Sequence, residues 1–251
     1  MNRITKTVAA GLIGLAICSA PSLMANPVSV TMGGVPSDAL SVGVNLAGIR
    51  NPSGWVGSVY ASYENLTVDG TPYQGYCIDL YHWSASVGST LNYNVNFLQD
   101  SPTAQPPGGM GAVKADFIRE MWQQYYAASV LDAHSSMDFQ LAIWGVLQAK
   151  PAAITIANGN ATIDGDFSWL TSGDKGGALA IIDWANNHVG TLADNLVGLN
   201  QALTPPTLSG GAQSFIIQTP NLTPPVPDGG LTAALLGMGL LGLGWVRRMV
   251  K

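Results

Sequence analysis

The sequence predicts an α+β fold, a β-sandwich or barrel that carries a helical lobe. In the first half of the chain, short segments rich in Val, Tyr and Thr alternate apolar and polar residues with a period of two. In the second half, apolar residues recur at helical spacing. Proline-rich stretches delimit these segments, and the ~200 residues between the two ends of the chain suffice for one domain.

Strands are predicted at residues 40–46, 55–66, 76–83, 91–98 and 212–219. We expect 76–83 and 91–98 to pair, with 84–90 as their turn. The segment 101–111 contains three prolines and three glycines and is therefore predicted to be a loop.

Helices are predicted over residues 112–131 and over about 175–188, with a further helix between them. The middle helix begins where Ser135 or Ser136 can cap it, and it ends before Pro151.

The charge distribution excludes one class of partner. Of 251 residues, 47% are hydrophobic and only 10% are charged. Residues 26–225 contain 14 acids against five bases, which gives a net charge of −9. A surface of that sign does not attract phosphate, so no nucleic acid is expected as a partner.

The N-terminus has the three parts of a secretory signal peptide, here assigned to residues 1–25. Arg3 and Lys6 precede a short apolar run, and small residues offer cleavage after Ala20 or Ala25. The run is too short for a membrane span. We therefore expect a domain over 26–219 that is exported from the cytoplasm.

The C-terminus has a second three-part arrangement. A proline-rich spacer over 220–230 ends in the sequence Val226, Pro227, Asp228, Gly229 and Gly230. An apolar segment, 231–246, follows and predicts a transmembrane helix, and the basic tail 247–251 would stay in the cytoplasm. A plain membrane anchor without further processing is the simplest alternative.

This arrangement resembles the PEP-CTERM class of bacterial sorting signals, in the variants that begin Val-Pro-Asp-Ser-Gly or Val-Pro-Asp-Gly-Gly. The resemblance implies processing by an exosortase-type enzyme after transient residence in the inner membrane. It also implies a Gram-negative-type bacterium, and delivery to the cell envelope or extracellular matrix.

Cys77 is the one cysteine that remains once the signal peptide is removed. In an oxidising compartment a lone thiol can oxidise or pair wrongly, so it calls for an explanation. It could be buried and inert, or a catalytic nucleophile, or its sulfur could be bonded to an atom other than sulfur. On the middle helix, Gln140 and Trp144 are four residues apart and share one face.

The sequence Tyr76-Cys77-Ile78-Asp79, followed by Gln140-Leu141-Ala142-Ile143-Trp144, resembles the thioester domains of bacterial surface adhesins. Phe139 stands where threonine is usual in that family. The resemblance implies a covalent bond between the sulfur of Cys77 and the side-chain acyl carbon of Gln140. It further implies attack on that bond by an amine, most plausibly a lysine on a surface or matrix molecule, in a single-use reaction rather than enzymatic turnover.

Pocket residues are expected around this bond. Tyr76, Tyr81, Trp83 and Trp144 could exclude water, and each is also an ordinary core residue. His82 or His134 could accept a proton, and Asp79 could orient a donor. No cofactor is expected, and the scattered histidines show no metal-ligand spacing.

Two alternatives remain at this point. The protein could be a carbohydrate- or matrix-binding domain that acts without covalent chemistry. It could also be a cysteine hydrolase in which Cys77 acts with His82, His134 or His188, which leaves Gln140 without a role.

Overall fold

A computed structural model describes residues 27–46, 56–80, 82–102, 109–157, 160–188, 190–201, 212–222 and 224. Its strands are β1 Val28–Gly34, β2 Ser41–Asn45, β3 Val56–Tyr60, β4 Glu64–Val68, β5 Thr71–Cys77, β6 Thr90–Phe97, β7 Ile154–Ala157, β8 Asn160–Ile163, β9 Leu170–Ser172, β10 Leu196–Gln201 and β11 Phe215–Gln218. Its α-helices are α1 Gly111–Ser129, α2 Ala133–Gln148 and α3 Gly176–Asn187.

Six strands close into an antiparallel barrel in the order β1-β4-β5-β11-β10-β6. Of the two expected architectures, the structure therefore has the barrel. Alternate residues of β4 are buried, so that Glu64, Leu66 and Val68 share the inward face. Two smaller sheets lie outside the barrel, β3-β2-β9 and the hairpin β7-β8.

The predicted strand over 55–66 is two strands that belong to different sheets. The chain leaves β3 at Tyr60 and enters the barrel only at Glu64. Between them, Ser62 is buried and its hydroxyl bonds to that of Ser136 on α2 at 2.9 Å. The Val and Tyr content predicted extended chain correctly, but this polar anchor on a helix ends the first strand.

The predicted pairing of 76–83 with 91–98 is wrong. Strand β5 pairs with β4 and β11, whereas β6 pairs with β1 and β10. Asp69 and Gly70 both have positive φ, 46° and 83°, as a two-residue hairpin turn requires. This turn joins β4 to β5 and commits β5 to its local neighbour.

Helix α2 is the centre of the helical lobe and packs against both α1 and α3. Its side chains from Phe139 to Leu147 are all buried, so it has no solvent face over that stretch. Its cap is Asp132, whose carboxylate accepts a hydrogen bond from the Ser135 N–H at 2.8 Å. The prediction of Ser135 or Ser136 as the cap was therefore wrong, by three or four residues.

An aromatic cluster fixes α2 against the barrel. The ring of Tyr76, on β5, meets Phe139 of α2 edge-to-face at 4.9 Å and Trp122 of α1 at 5.8 Å. Trp122 in turn stacks on Tyr126 at 4.4 Å. Because Tyr76 precedes Cys77 and Phe139 precedes Gln140, this cluster sets the distance between the next residues of the two elements.

Both chain ends lie outside the described residues. These include the predicted signal peptide 1–25, most of the spacer and the predicted transmembrane segment 231–246. Among the residues that are described, no helix is long and apolar enough to cross a membrane.

We expect Phe139→Ala to lower the free energy of unfolding by about 3–5 kcal/mol, because it removes a fully buried ring from this cluster. Phe139→Leu retains most of the apolar volume and should cost clearly less. Urea unfolding followed by tryptophan fluorescence measures both. Equal, small losses in the two variants would show that the cluster does not hold α2 in place.

Candidate functional site

The carboxamide of Gln140 is bound to the backbone of Cys77 by two reciprocal hydrogen bonds. The Cys77 N–H donates to Gln140 Oε1 at 2.9 Å, and Gln140 Nε2 donates to the Cys77 carbonyl at 2.9 Å. Strand β4 pairs with β5 only as far as Gly75, two residues before Cys77, so on that side the Cys77 backbone can take a partner outside the sheet. The 63 residues that separate the two in sequence are thus bridged at a single point.

This pair lies away from solvent. Gln140 is 0% exposed and Cys77 is 6% exposed. A buried carboxamide without partners would cost about 1–3 kcal/mol, and here its oxygen and nitrogen are both bonded to one residue. The arrangement holds an acyl carbon beside the residue that carries a thiol.

The sulfur of Cys77 is held by the backbone of Asp79. The thiol donates to the Asp79 carbonyl and accepts from the Asp79 N–H, each at 3.3 Å. Burial, together with the charge of Asp79, raises the pKa of the Cys77 thiol well above its usual range. The hydrogen bond from the Asp79 N–H acts in the opposite direction.

The Asp79 side chain is engaged elsewhere. Its Oδ2 lies 2.6 Å from Nδ1 of His82, and both residues are buried. This contact closes the segment that follows β5 and so fixes the Asp79 N–H that faces the sulfur. The strand predicted over 76–83 instead ends at Cys77, so Asp79 lies past its end.

A cavity of about 200 Å³ leads from the surface to Cys77. At its mouth are exposed aromatic side chains, Tyr60 at 61% and Trp83 at 52% exposure. Its inner wall includes Trp144 and Phe215, both buried. A side chain with an apolar stem could therefore reach the sulfur from outside.

The predicted pocket residues divide into two groups. Trp144 and Trp83 line the cavity. Asp79 and His82 form the buried pair behind the sulfur, and Tyr76 belongs to the aromatic cluster, where its hydroxyl donates to Ser129 at 2.7 Å. Those three are not among the lining residues described.

Two further predicted residues lie elsewhere. His134 is exposed on α2, so it is not a buried proton acceptor. Tyr81 lies outside the described residues.

Glu64 is a residue of the site that was not predicted from the sequence. This carboxylate is 7% exposed, lines the cavity with Cys77 and accepts a hydrogen bond from the Ser84 hydroxyl at 2.5 Å. Burial raises its pKa, an effect that the Ser84 bond partly opposes. The signal was in the sequence, since Glu64 has the same period-two phase as Leu66 and Val68, which fill the barrel.

Within the described residues, no group of three or more His, Cys, Asp or Glu could hold a metal ion. In the sequence Asp164-Gly165-Asp166, the carboxylate of the last residue accepts a hydrogen bond from the Ser168 N–H at 2.9 Å, in a turn.

The C-terminal segment matches a known family model, that of the VPDSG-CTERM motif, over residues 225–249. The chain carries a VPDSG-CTERM sorting signal. This motif directs a secreted protein to the cell surface or envelope and implies a processing enzyme of the exosortase or sortase kind. Gly229 stands in this chain where the motif's name has serine.

Comparisons over the rest of the chain give one similarity of note. No curated protein matches the sequence. Among solved structures, the chain is similar to the N-terminal thioester domain of a surface protein from Clostridium perfringens, with 11% identity and a TM-score of 0.38. That similarity covers 71% of this chain and 98% of the other. Any chemistry proposed for this domain therefore rests on the geometry of Cys77 and Gln140.

In a Gln140→Ala variant, which has no acyl carbon for the sulfur to join, we expect native Cys77 to react with iodoacetamide about tenfold or more slowly than in concentrated urea. Burial and the raised pKa of the thiol are the reasons. Mass spectrometry of timed samples measures both rates. Equal rates would show that the site is open to solvent.

Glu64→Gln should raise the melting temperature at neutral pH. Burial raises the pKa of Glu64 in the folded state above that in the unfolded chain. The folded protein therefore loses stability as the pH rises above about 4, the ordinary glutamate pKa, and the glutamine variant does not. Below that pH both states are protonated, and the gain should vanish. Thermal unfolding across pH measures this, with Glu120→Gln, at a half-buried site, as a control of smaller effect. A gain that persists in acid would contradict the assignment.

Proposed function

We propose that this domain forms an internal thioester between Cys77 and Gln140 and uses it to capture an amine on a surface or matrix molecule. The observation that carries the proposal is the reciprocal pair of hydrogen bonds between the Gln140 carboxamide and the Cys77 backbone, in a buried site. Rigid placement of that kind corresponds to effective molarities of ~10⁵ M or more.

The contacts at the site support one route to the thioester. The sulfur of Cys77 attacks the side-chain carbonyl carbon of Gln140, and negative charge develops on Oε1. The Cys77 N–H, 2.9 Å from that oxygen, is positioned to stabilise this charge as an oxyanion-hole donor does. The thiol proton passes to Nε2, ammonia leaves, and a carbon–sulfur bond replaces the carbon–nitrogen bond.

The raised thiol pKa limits the rate of this step, because little thiolate is present at neutral pH. A protein that performs the reaction once after folding tolerates a slow step. An enzyme that must regenerate its nucleophile at every turnover does not, and cysteine hydrolases accordingly have lowered thiol pKa values. The environment of Cys77 therefore favours the single-use thioester over the hydrolase.

In the capture step, the sulfur of Cys77 is the leaving group rather than the nucleophile. An amine that enters the cavity attacks the acyl carbon, and the same Cys77 N–H polarises the carbonyl. Sulfur leaves towards the Asp79 N–H, which lies 3.3 Å away. The product is a stable isopeptide at Gln140 and a free thiol at Cys77.

The sorting signal supplies the setting for this chemistry. We infer that an exosortase-type enzyme processes the C-terminus at the inner membrane of a Gram-negative-type bacterium. The domain is then carried on the envelope or released to the extracellular matrix, where it meets its target. A single-use covalent adhesin suits that location, since the attached protein is not recycled.

The full chain, isolated in detergent, should have a mass below the value calculated for its processed sequence by one ammonia. Methylamine should then add to Gln140 and expose one thiol. Because native Cys77 is buried in either case, alkylation must be measured after rapid denaturation. Intact and peptide mass spectrometry provide both readouts.

Cys77→Ala and Gln140→Ala serve as matched controls, and both should have their full calculated masses. A wild-type chain of full mass, with a thiol that is alkylated on denaturation, would contradict the thioester. It would favour the domain that binds carbohydrate or matrix without a covalent bond.

A further inference from the structure

Glu64 has a position that the thioester itself does not explain. On the β4–β5 ladder, Glu64 is paired with Gly75, and Cys77 lies two residues further along β5. In an antiparallel pair, directly opposed residues and their i+2 neighbours share one face, with diagonal neighbours about 7 Å apart. Glu64 and Cys77 are therefore diagonal neighbours on the same wall of the cavity.

The carboxylate faces this cavity without a cation of its own. Among the described residues, the ion pairs are His82 with Asp79 and Arg119 with Asp116, so Glu64 belongs to none. Its hydrogen bond comes from the neutral hydroxyl of Ser84. A nearly buried charge normally has an opposite charge beside it, since burial of an unpaired carboxylate is costly.

The remaining wall is suited to an alkyl chain. Leu46, Val59 and Phe215 contribute apolar surface, and the aromatic rings of Tyr60 and Trp83 stand at the mouth. Aromatic faces attract ammonium groups, and methylene stems pack on apolar walls. The cavity thus offers an aromatic entrance, an apolar passage and one inner negative charge.

We propose that Glu64 binds the ammonium group of the incoming amine and takes its proton, so that the cavity selects protonated primary alkylamines. The inference rests on the proposed thioester.

Each of the three protons of the incoming ammonium group has a destination. An ammonium, R–NH3⁺, gives one proton to Glu64 and becomes a nucleophilic amine. Its nitrogen forms a bond to the Gln140 acyl carbon as the carbon–sulfur bond breaks. A second proton passes to the Cys77 sulfur, and the third stays on the isopeptide nitrogen. The raised pKa of Glu64 makes it a better proton acceptor than an exposed glutamate.

Two small nucleophiles separate this role from a general effect on reactivity. At neutral pH methylamine is protonated, whereas hydroxylamine is neutral and needs no proton acceptor to react. With the full chain in detergent, the rate of Cys77 thiol release is measured for each probe in wild type, Glu64→Gln and Glu120→Gln. Glu120 is the only other glutamate in the sequence.

Glu64→Gln should slow the methylamine reaction about tenfold or more and change the hydroxylamine rate by less than about twofold. Glu120→Gln should change neither. The Glu64→Gln protein must first be shown to retain the one-ammonia mass deficit. If the substitution then changes both rates equally, or changes neither, the proposed role of Glu64 is overturned while the thioester stands. A wild-type chain of full mass would overturn the thioester and, with it, this inference.

Discussion

The arrangement of the site depends on two hydrogen bonds between the side chain of Gln140 and the backbone of Cys77. The Gln140 carboxamide has both of its polar atoms bound to Cys77, at 2.9 Å each. These bonds require β5 to be held in place near Cys77, and α2 to place Gln140 beside the end of that strand. The closed barrel meets the first requirement, because β4 and β11 flank β5 on its two sides. The second requirement is met only if α2 cannot rotate about its axis.

The molecule secures α2 by burying it on all sides over Phe139 to Leu147. Tyr76 and Phe139, which precede Cys77 and Gln140 by one residue each, meet edge-to-face. Several polar groups are buried at this end of the barrel, among them Gln140, Glu64 and the Asp79–His82 pair. A cluster of buried polar groups is typical of a functional site.

The sequence was most informative where a residue's neighbours in sequence decide its structure. The period of apolar residues predicted α1, α2 and α3, because these helices pack on one another through apolar faces. Strand pairing was harder, since β5 pairs with its hairpin neighbour β4 and with the distant β11. The Asp69–Gly70 turn indicates the pairing of β5 with β4, whereas the pairing with β11 depends on closure of the barrel.

At the site, Cys77 and Gln140 could be selected from the sequence because a rare residue type coincided with a recognisable helix motif. Their hydrogen bonds, and the separation of Tyr76 from the cavity, could not be predicted, since both depend on the packing of a helix against the barrel. Glu64 was overlooked because a charged residue in a strand normally faces solvent. Only its phase with Leu66 and Val68 marks it as inward-facing.

Carbon NMR tests most directly whether the sulfur of Cys77 and the acyl carbon of Gln140 are joined. In protein labelled with ¹³C at the glutamine side-chain carbonyl, a thioester carbon resonates well downfield of every carboxamide. We expect one such signal in the wild-type protein and none in Cys77→Ala. A wild-type spectrum in which all glutamine carbonyls stay in the carboxamide region would contradict the thioester.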